Sequence, residues 1–267
     1  MAKHKIAAFP FDVRPGEVAS NLQQVLLAVE QSASAGAKLL VLPEKWTTSF
    51  LPSFSSAIRA ESEKALAELH QVATAHDLTV IGSAPGGAGE KPGNELHIVG
   101  AAGNLRPYRK RMLFSPTGEG RQVDRGVGLP PVIETPVGRV NALICYDLRF
   151  PEVCRQALYA QADFIVCCAQ WPSPRVRIFE LMSRCRAAEN QVWLLSCNRA
   201  GIAGLDGNLM EFPGMALCVD PLGEVTARVD DGSLLLTEMD HAQAECARRS
   251  VPLARDLQKA GLWPASE

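Results

Sequence analysis

Three polar residues of different chemistry each stand where a segment typical of a buried strand ends. Glu44 follows the apolar segment 39–42, Cys145 follows the apolar segment 140–144, and Lys110 ends a Tyr-Arg-Lys tripeptide. In open α/β sheets, reactive groups are displayed at the carboxyl ends of the strands. We therefore expect an acid, a cation and a thiol to be displayed at equivalent strand ends.

Such a set of side chains suits acyl transfer. A cysteine thiol has an ordinary pKa of about 8.5, so it needs help to attack at neutral pH. A carboxylate such as Glu44 can accept the proton of Cys145 during attack and later pass it to a leaving amine. The ammonium of Lys110 and the backbone N–H of Tyr146 can stabilise the resulting oxyanion. The alternative is that Cys145 is simply a small buried apolar residue, as many free cysteines are.

Other kinds of cysteine chemistry are disfavoured by the rest of the sequence. The five histidines stand in terminal, helical or edge-like contexts, which argues against a Cys–His catalytic pair. The eight cysteines include no Cys-x-x-Cys pair, and none has a histidine at metal-ligand spacing. The sequence therefore predicts a protein with reduced thiols, located in the cytoplasm, that uses no metal and no cofactor.

Composition and charge set further bounds. The chain has 267 residues, of which 47% are hydrophobic and 21% charged, enough for one α/β domain over residues 1–267. A net charge of −2 gives no general attraction to nucleic acid or to an anionic membrane. The basic segment 106–111 has no nucleic-acid motif around it, and no apolar stretch approaches the roughly 20 residues of a membrane span. We expect neither nucleic acid nor a membrane as a partner.

The apolar pattern indicates which elements position these residues. Helical periodicity covers residues 17–35 and 62–76, between strand-like segments at 5–9, 39–42 and 78–81. This alternation favours a mixed or parallel sheet covered by helices. After Cys145 we predict a helix over 153–160, a strand over 163–169 and a helix over 175–190. The tail from about residue 240 is predicted to dock outside the compact body, on a partner subunit.

Three blocks of the sequence resemble a known family. Residues 42–44, 108–114 and 145–152 are similar, in order and in separation, to the signature blocks of the nitrilase superfamily of carbon–nitrogen hydrolases. The resemblance continues at 169–172, 184–190, 198–199 and 220–224, and so covers nearly the whole chain. It implies a four-layer α-β-β-α sandwich, a catalytic set of Glu44, Lys110 and Cys145, and a homodimer or a larger homo-oligomer.

The resemblance also implies a fourth catalytic residue and a reaction. Glu119 matches a further glutamate of the family that orients the substrate or the hydrolytic water, although it could instead be an exposed loop acid. The block that begins at Cys145 resembles the amidase branch, especially ω-amidases acting on α-keto acid amides. The implied function is hydrolysis of a small carboxamide to carboxylate and ammonia through a thioester. An N-carbamoyl amino acid hydrolase, a nitrilase and a catalytically idle assembly subunit remain the alternatives.

A possible substrate-binding region follows the predicted strand 163–169. Trp171 could form an apolar wall of the pocket, and Arg175 or Arg177 could bind a substrate carboxylate with two parallel hydrogen bonds. The alternative is that both arginines are solvated residues in the first turn of a helix. The predicted partner is thus a small-molecule amide, with a carboxylate at its far end.

Overall fold

The computed structural model describes residues 3–205 and 208–264, and its framework is two six-stranded sheets. The first contains, in spatial order, β14 (Leu235–Asp240), β1 (Lys3–Ala8), β2 (Leu39–Val41), β3 (Thr79–Gly86), β4 (Gly93–Gly100) and β5 (Gly103–Arg109). The second contains β13 (Val225–Asp230), β12 (Met215–Val219), β9 (Trp193–Asn198), β8 (Phe164–Ala169), β7 (Gly138–Ile144) and β6 (Val132–Thr135). The central strands β1–β2–β3 and β7–β8–β9 run parallel, and the outer pairs are antiparallel.

Helices cover the outer faces of both sheets. They are α1 (Val18–Ser34), α2 (Ser56–Ala75), α3 (Pro151–Cys154), α4 (Gln156–Tyr159), α5 (Val176–Asn190), α6 (His241–Ser250) and α7 (Leu253–Lys259). Helix α2 packs on β3 and β4, and α5 packs on β9 and β12. In the part of the chain that the structure describes, no helix is long and apolar enough to cross a bilayer.

Strand β2 shows how the sequence produces these layers. Successive side chains of a strand point to opposite faces of the sheet. Leu39 and Val41 join the core between the two sheets, whereas Leu40 and Leu42 join the core beneath α1 and α2. All four side chains are fully buried, so the segment has no polar face. The predicted α-β-β-α sandwich is confirmed.

Three elements differ from the prediction. Helix α2 begins at Ser56 rather than at residue 62, because the Ser55 hydroxyl accepts a hydrogen bond from the backbone N–H of Ile58 at 3.2 Å. The first turns of α2 are largely exposed, so no apolar periodicity marks them. The helix predicted over 153–160 is two short helices, α3 and α4. A hairpin of β10 (Ala200–Leu205) and β11 (Asn208–Pro213) was not predicted.

The C-terminal region lies closer to the body than predicted. Helix α6 follows β14, and the Trp193 indole donates a hydrogen bond to the Asp240 carbonyl at 2.9 Å. The Arg248 guanidinium donates to the carbonyls of Gln191 and Ala162. Beyond α6, the Trp263 ring meets the Tyr159 ring at 5.2 Å, so the segment after residue 240 contacts the body of its own chain. Its docking on a partner stays a prediction, and residues 265–267 lie outside the described residues.

Candidate active site

The ends of three strands place the acid, the cation and the thiol together. Glu44 lies three residues after β2, Lys110 directly after β5, and Cys145 directly after β7. The backbone N–H of Glu44 donates to the carbonyl of Ala169, the last residue of β8, at 3.5 Å. This contact joins the edge of the first sheet to the second sheet, so residues from both sheets meet in one site.

Lys110 lies between two carboxylates. Its Nζ is 2.7 Å from Glu44 Oε1 and 2.9 Å from Glu119 Oε2. The Glu44 carboxylate also accepts hydrogen bonds from the Asn94 side-chain amide at 2.7 Å and from the backbone N–H of Gln170 at 3.3 Å. The three charged side chains are at most 1% exposed. Glu44 is therefore held in one orientation by contacts on both oxygens.

Glu119 is a buried member of the site and not an exposed loop acid. It begins a short 3₁₀ turn, and its Oε2 accepts a hydrogen bond from the backbone N–H of Phe114 at 2.8 Å. On its other side, Oε1 is 3.3 Å from the Nζ of Lys45, a second fully buried lysine. The glutamate named from the sequence resemblance thus lies in this buried cluster, whereas nothing in the sequence pattern identified Lys45.

The electrostatics of the site set the resting protonation states. Burial by itself would lower the pKa of Lys110, but the carboxylates of Glu119 and Glu44 raise it well above its ordinary value. Burial opposes ionisation of Glu119, yet Lys110 and Lys45 lower its pKa to about 2. Burial, followed by the Glu44 charge, raises the pKa of the Cys145 thiol well above its usual range. Cys145 therefore rests as a thiol and must lose its proton when it attacks.

The turn that presents Cys145 is strained and braced. Cys145 has φ +47°, in the left-handed region, and opens a 3₁₀ helix, Cys145–Arg149. Backbone of this kind costs about 1–3 kcal/mol in a non-glycine residue. The buried Asp147 carboxylate accepts hydrogen bonds from the backbone N–H groups of Ile144 and Met112 at 3.1 and 3.2 Å, and from the Tyr108 hydroxyl at 3.1 Å. Asp147 thus fixes the turn against the end of β5.

Cys145 faces a pocket with aromatic walls and two arginines. The empty space measures about 400 Å³, including the open mouth. The lining residues are Phe50, Lys110, Phe114, Cys145, Tyr146, Arg149, Gln170, Trp171, Pro172 and Arg175. The Arg149 guanidinium lies 5.0 Å from the Trp171 ring, and that of Arg175 lies 5.7 Å from the Phe114 ring. The pocket combines apolar walls with positive charge, which suits a small anionic molecule.

The structure brings most of the predicted substrate-binding residues together. Trp171 and Arg175 line the pocket, as does the side chain of Tyr146, whose backbone N–H stays a predicted oxyanion donor. Arg177 is not among the lining residues and is exposed on α5. Arg175 ends the 3₁₀ turn Ser173–Arg175 that precedes α5, whereas Arg177 lies on α5 itself, so different elements direct the two side chains.

Sequence reasoning missed several residues of the site. Arg149 could have been identified from the sequence, because it lies in the block that begins at Cys145 and follows that cysteine by four residues. Gln170 lies within the resembling segment 169–172 but was given no role, and Asn94 gave no signal, since an isolated amide has no distinctive spacing. Among residues 3–205 and 208–264, no group of three histidine, cysteine, aspartate or glutamate side chains is arranged to hold a metal ion.

Known proteins with similar sequences include amidases. The sequence matches the carbon–nitrogen hydrolase family over residues 5–249. It is 29% identical to 2-oxoglutaramate amidase of Bacillus subtilis (strain 168) over 261 residues, 96% of this chain and 98% of that protein. It is 30% identical to the chloroplastic omega-amidase of Arabidopsis thaliana over 254 residues, 88% of this chain and 67% of that protein.

Solved structures agree with this assignment. A CN-hydrolase superfamily protein from Xanthomonas campestris, XC1258, superposes with a TM-score of 0.84 at 25% identity, covering 96% of this chain and 97% of that one. A mutant of the amidase from Nesterenkonia sp. AN1 superposes with a TM-score of 0.80 at 26% identity, covering 95% and 96%. That amidase shows covalent addition of the acetamide moiety of fluoroacetamide at its active-site cysteine. The predictions of the nitrilase superfamily and of a cysteine-dependent enzyme are confirmed: this chain belongs to the carbon–nitrogen hydrolase family.

Proposed function

We propose that this protein hydrolyses a small carboxamide to a carboxylate and ammonia, with Cys145 as nucleophile, Glu44 as general base and Lys110 as oxyanion stabiliser. One observation carries the proposal. A fully buried Glu44–Lys110–Glu119 chain stands beside a buried, protonated thiol at the end of an aromatic pocket. Buried charges are costly, so keeping three of them at one pocket supports a catalytic use over an idle assembly subunit.

The geometry suits a two-stage reaction. In the first stage, Cys145 Sγ bonds to the amide carbon while its proton passes to Glu44, and Lys110 with the Tyr146 N–H binds the oxyanion. The intermediate collapses when Glu44 returns the proton to the nitrogen, so ammonia leaves and a thioester remains. In the second stage, Glu44 takes a proton from a water molecule that attacks the thioester and passes it to the Cys145 sulfur as the C–S bond breaks. The thiol is thereby restored, and the carboxylic acid product leaves and ionises to the carboxylate. Glu119 orients the substrate or this water.

The substrate in this proposal is an ω-amide whose far end carries a carboxylate. Two of the similar proteins are a 2-oxoglutaramate amidase and an omega-amidase. The pocket adds independent support, because Arg149 and Arg175 line it together with Cys145 and bring two positive charges to it. A guanidinium binds a carboxylate through two parallel hydrogen bonds, which fixes the orientation of a short substrate.

A comparison of two substrates tests this specificity. We expect kcat/KM for a keto-acid monoamide to exceed that for a neutral amide of equal length about 10- to 150-fold, since a charged hydrogen bond contributes about 1.5–3 kcal/mol. Arg149→Ala or Arg175→Ala should remove the preference, and the matched control Arg177→Ala should retain it. Equal rates on the two amides would contradict the ω-amidase assignment.

The same ammonia-release assay separates the alternatives. Preferred turnover of an N-carbamoyl amino acid or of a nitrile would assign the protein to those relatives, and no turnover on any substrate would favour an idle subunit. Because the proposed chemistry uses only side-chain and backbone groups of the protein, EDTA should leave the rate unchanged. Activity that is lost in EDTA and restored by zinc would contradict the mechanism.

The proposal includes a cytoplasmic location and a homodimer. All eight cysteines lie among the described residues and are free thiols, which supports a reducing compartment. Ile178 and Leu181 of α5 are 37% and 56% exposed, and an exposed apolar pair on one helix face supports contact with a second copy. Light scattering during size-exclusion chromatography should give twice the monomer mass. Leu181→Asp should shift the protein towards the monomer.

A further inference from the structure

A second lysine is buried in the active site and has no role in the chemistry described above. Lys45 directly follows Glu44, has φ +44°, and its side chain is fully buried. Its Nζ lies 3.3 Å from Glu119 Oε1 and 4.1 Å from the centre of the Phe50 ring, which lines the pocket. A buried ammonium is costly unless it is paired, so its presence calls for a reason.

The charges of the site alternate along a continuous chain. Contacts of 2.7, 2.9 and 3.3 Å link Glu44 to Lys110, Lys110 to Glu119, and Glu119 to Lys45. Two carboxylates and two ammonium groups sum to zero, while Cys145 is a neutral thiol. Each Glu119 oxygen meets a different lysine, Oε2 facing Lys110 and Oε1 facing Lys45. Lys110 is thus shared between Glu44 and Glu119, whereas the ion pair of Lys45 is with Glu119.

We propose that Lys45 is a positioning residue for this reaction: by balancing the charge of Glu119 it leaves the ammonium of Lys110 available to Glu44 and to the oxyanion. The inference rests on the proposed role of Glu44 as general base. Lys45 is not itself a lining residue of the pocket, so it acts through Glu119 and through the Phe50 ring, over which its ammonium lies.

The effect of removing Lys45 follows from the groups that surround it. Glu119, Glu44 and Lys110 are the charged groups that face Lys45, and Glu44 also faces the thiols of Cys145 and Cys168. Without Lys45, the ammonium of Lys110 would be the counter-ion of both Glu44 and Glu119, and the cluster would carry an excess negative charge. A buried cluster with that charge binds a proton more readily. In a fraction of the molecules the added proton would reside on Glu44, which could not then accept the proton of the Cys145 thiol.

A purely structural role predicts a different outcome. In that case Lys45 serves only to fill space, with its ammonium against the rings of Phe50 and Phe54 at 4.1 and 5.6 Å. Replacement by an apolar side chain of similar length would then lower stability or the rate, but it would leave the pH dependence of the reaction unchanged. The pH profile therefore separates the two roles.

The experiment measures kcat/KM against pH for Lys45→Met. The acid limb of this profile reports the pKa of the essential base in the free enzyme. In Lys45→Met we expect the acid limb to move to higher pH, because the loss of one cation leaves the buried cluster with an excess negative charge. Lys45→Arg keeps the charge and should keep the wild-type acid limb. Lys38→Met, which removes an exposed lysine paired with Asp77, is the matched control and should cause no shift.

Two further variants keep the inference testable if Lys45→Met does not fold. The single variant Glu119→Gln leaves Glu44 with two cations nearby. The acid limb of its kcat/KM profile should therefore move to lower pH. The double variant Lys45→Met with Glu119→Gln restores the balance and should return the acid limb to near its wild-type position, at a reduced rate. An unshifted acid limb in folded Lys45→Met, or in Glu119→Gln, would overturn the inference. By contrast, full turnover in Cys145→Ala would overturn the proposed function itself, whatever Lys45 does.

Discussion

The two ends of the parallel strands carry ionic clusters that differ in burial. At the carboxyl ends, the side chains of Glu44, Lys110 and Glu119 are at most 1% exposed. At the amino ends, His241 Nδ1 lies 3.8 Å from Asp163 Oδ1, with 17% and 28% of these side chains exposed. The rings of His4 and His241 meet edge to face, with centroids 5.2 Å apart. Both clusters pair acids with bases, but only one is removed from water.

Burial gives the same kind of pair two different uses. An ion pair in contact with solvent contributes about 0–1 kcal/mol to stability and little else. A fully buried pair pays a desolvation cost that can exceed its attraction, so it is a poor way to stabilise a fold. The low polarity around it does, however, strengthen every interaction with a charge that develops nearby. The four predictions below test this distinction between the buried cluster and the exposed one.

The largest effect is expected at the nucleophile of the buried site. Cys145→Ala should abolish turnover while the melting temperature stays near that of the wild type, because only one sulfur atom at the pocket is lost. Cys185→Ala is the matched control, since that cysteine is exposed, and it should keep full activity. Mass spectrometry after iodoacetamide treatment should show that substrate protects Cys145. Substantial turnover in Cys145→Ala would refute the mechanism.

The next effect concerns the buried ion pair beside it. Glu44→Gln and Lys110→Met should each lower kcat about 10³-fold or more, and the double variant should be little worse than either one, because the residues act as a unit. Lys110→Arg should not restore the rate, since a planar guanidinium directs its donors differently. Additive losses in the double variant would show that the two residues act independently.

A smaller loss is expected at the brace behind the nucleophile. Three hydrogen-bond donors converge on the Asp147 carboxylate. In Asp147→Asn, the side-chain amide would turn its own N–H groups towards at least one of these donors. An unsatisfied buried donor costs about 1–3 kcal/mol, which denaturant unfolding would measure. A displaced Cys145 should lower kcat on the order of 10- to 100-fold. Wild-type kcat in a destabilised variant would mean that Asp147 supports the fold alone.

The smallest effect is expected at the exposed cluster, and it depends on pH. The contact with the Asp163 carboxylate raises the pKa of His241 above its ordinary value, with burial opposing and Asp240 assisting, while burial lowers the pKa of the neighbouring His4. A raised pKa in the folded state means that the imidazolium stabilises the fold below about pH 6.5, and that this contribution is lost as pH rises through the folded-state pKa.

The corresponding variant is His241→Gln. It should lose about 0.3–1 kcal/mol of unfolding free energy near pH 5.5, and less at pH 8.5, with kcat unchanged at both. Burial opposes ionisation of Asp163, but His241 lowers the pKa of this carboxyl. Asp163 supports the pair only above about pH 4, and this value is the lower limit of the pH range in which the pair stabilises the fold. A stability difference that grows with pH would show that the pair does not form as described.

Local sequence was enough to find the reacting groups. The apolar segments before Glu44 and Cys145 are buried on both faces, so they could be identified as strands without knowledge of their neighbours. Each strand end then placed one polar residue at a point where the chain turns. Helix α1 was also predicted to within one residue at each end, because its buried positions repeat at helical spacing. An apolar pattern of this kind indicates which positions of a segment are buried, and it can be recognised from that segment alone.

Contacts between segments were decided by the tertiary structure. Arg149 and Arg177 are both arginines in short turns or helices near the pocket, yet only Arg149 lines it, because helix orientation directs the other side chain to solvent. Lys45 lies next to Glu44 in the sequence, but it acquires its partner only when the loop that carries Glu119 folds over β5 and brings residues 74 positions apart to 3.3 Å. The sequence by itself indicated most of the strands, the candidate reacting side chains and the family. Which buried charges neutralise one another depended on how two sheets and a loop meet, because electrostatic energy is set by distance in space and by exclusion of water.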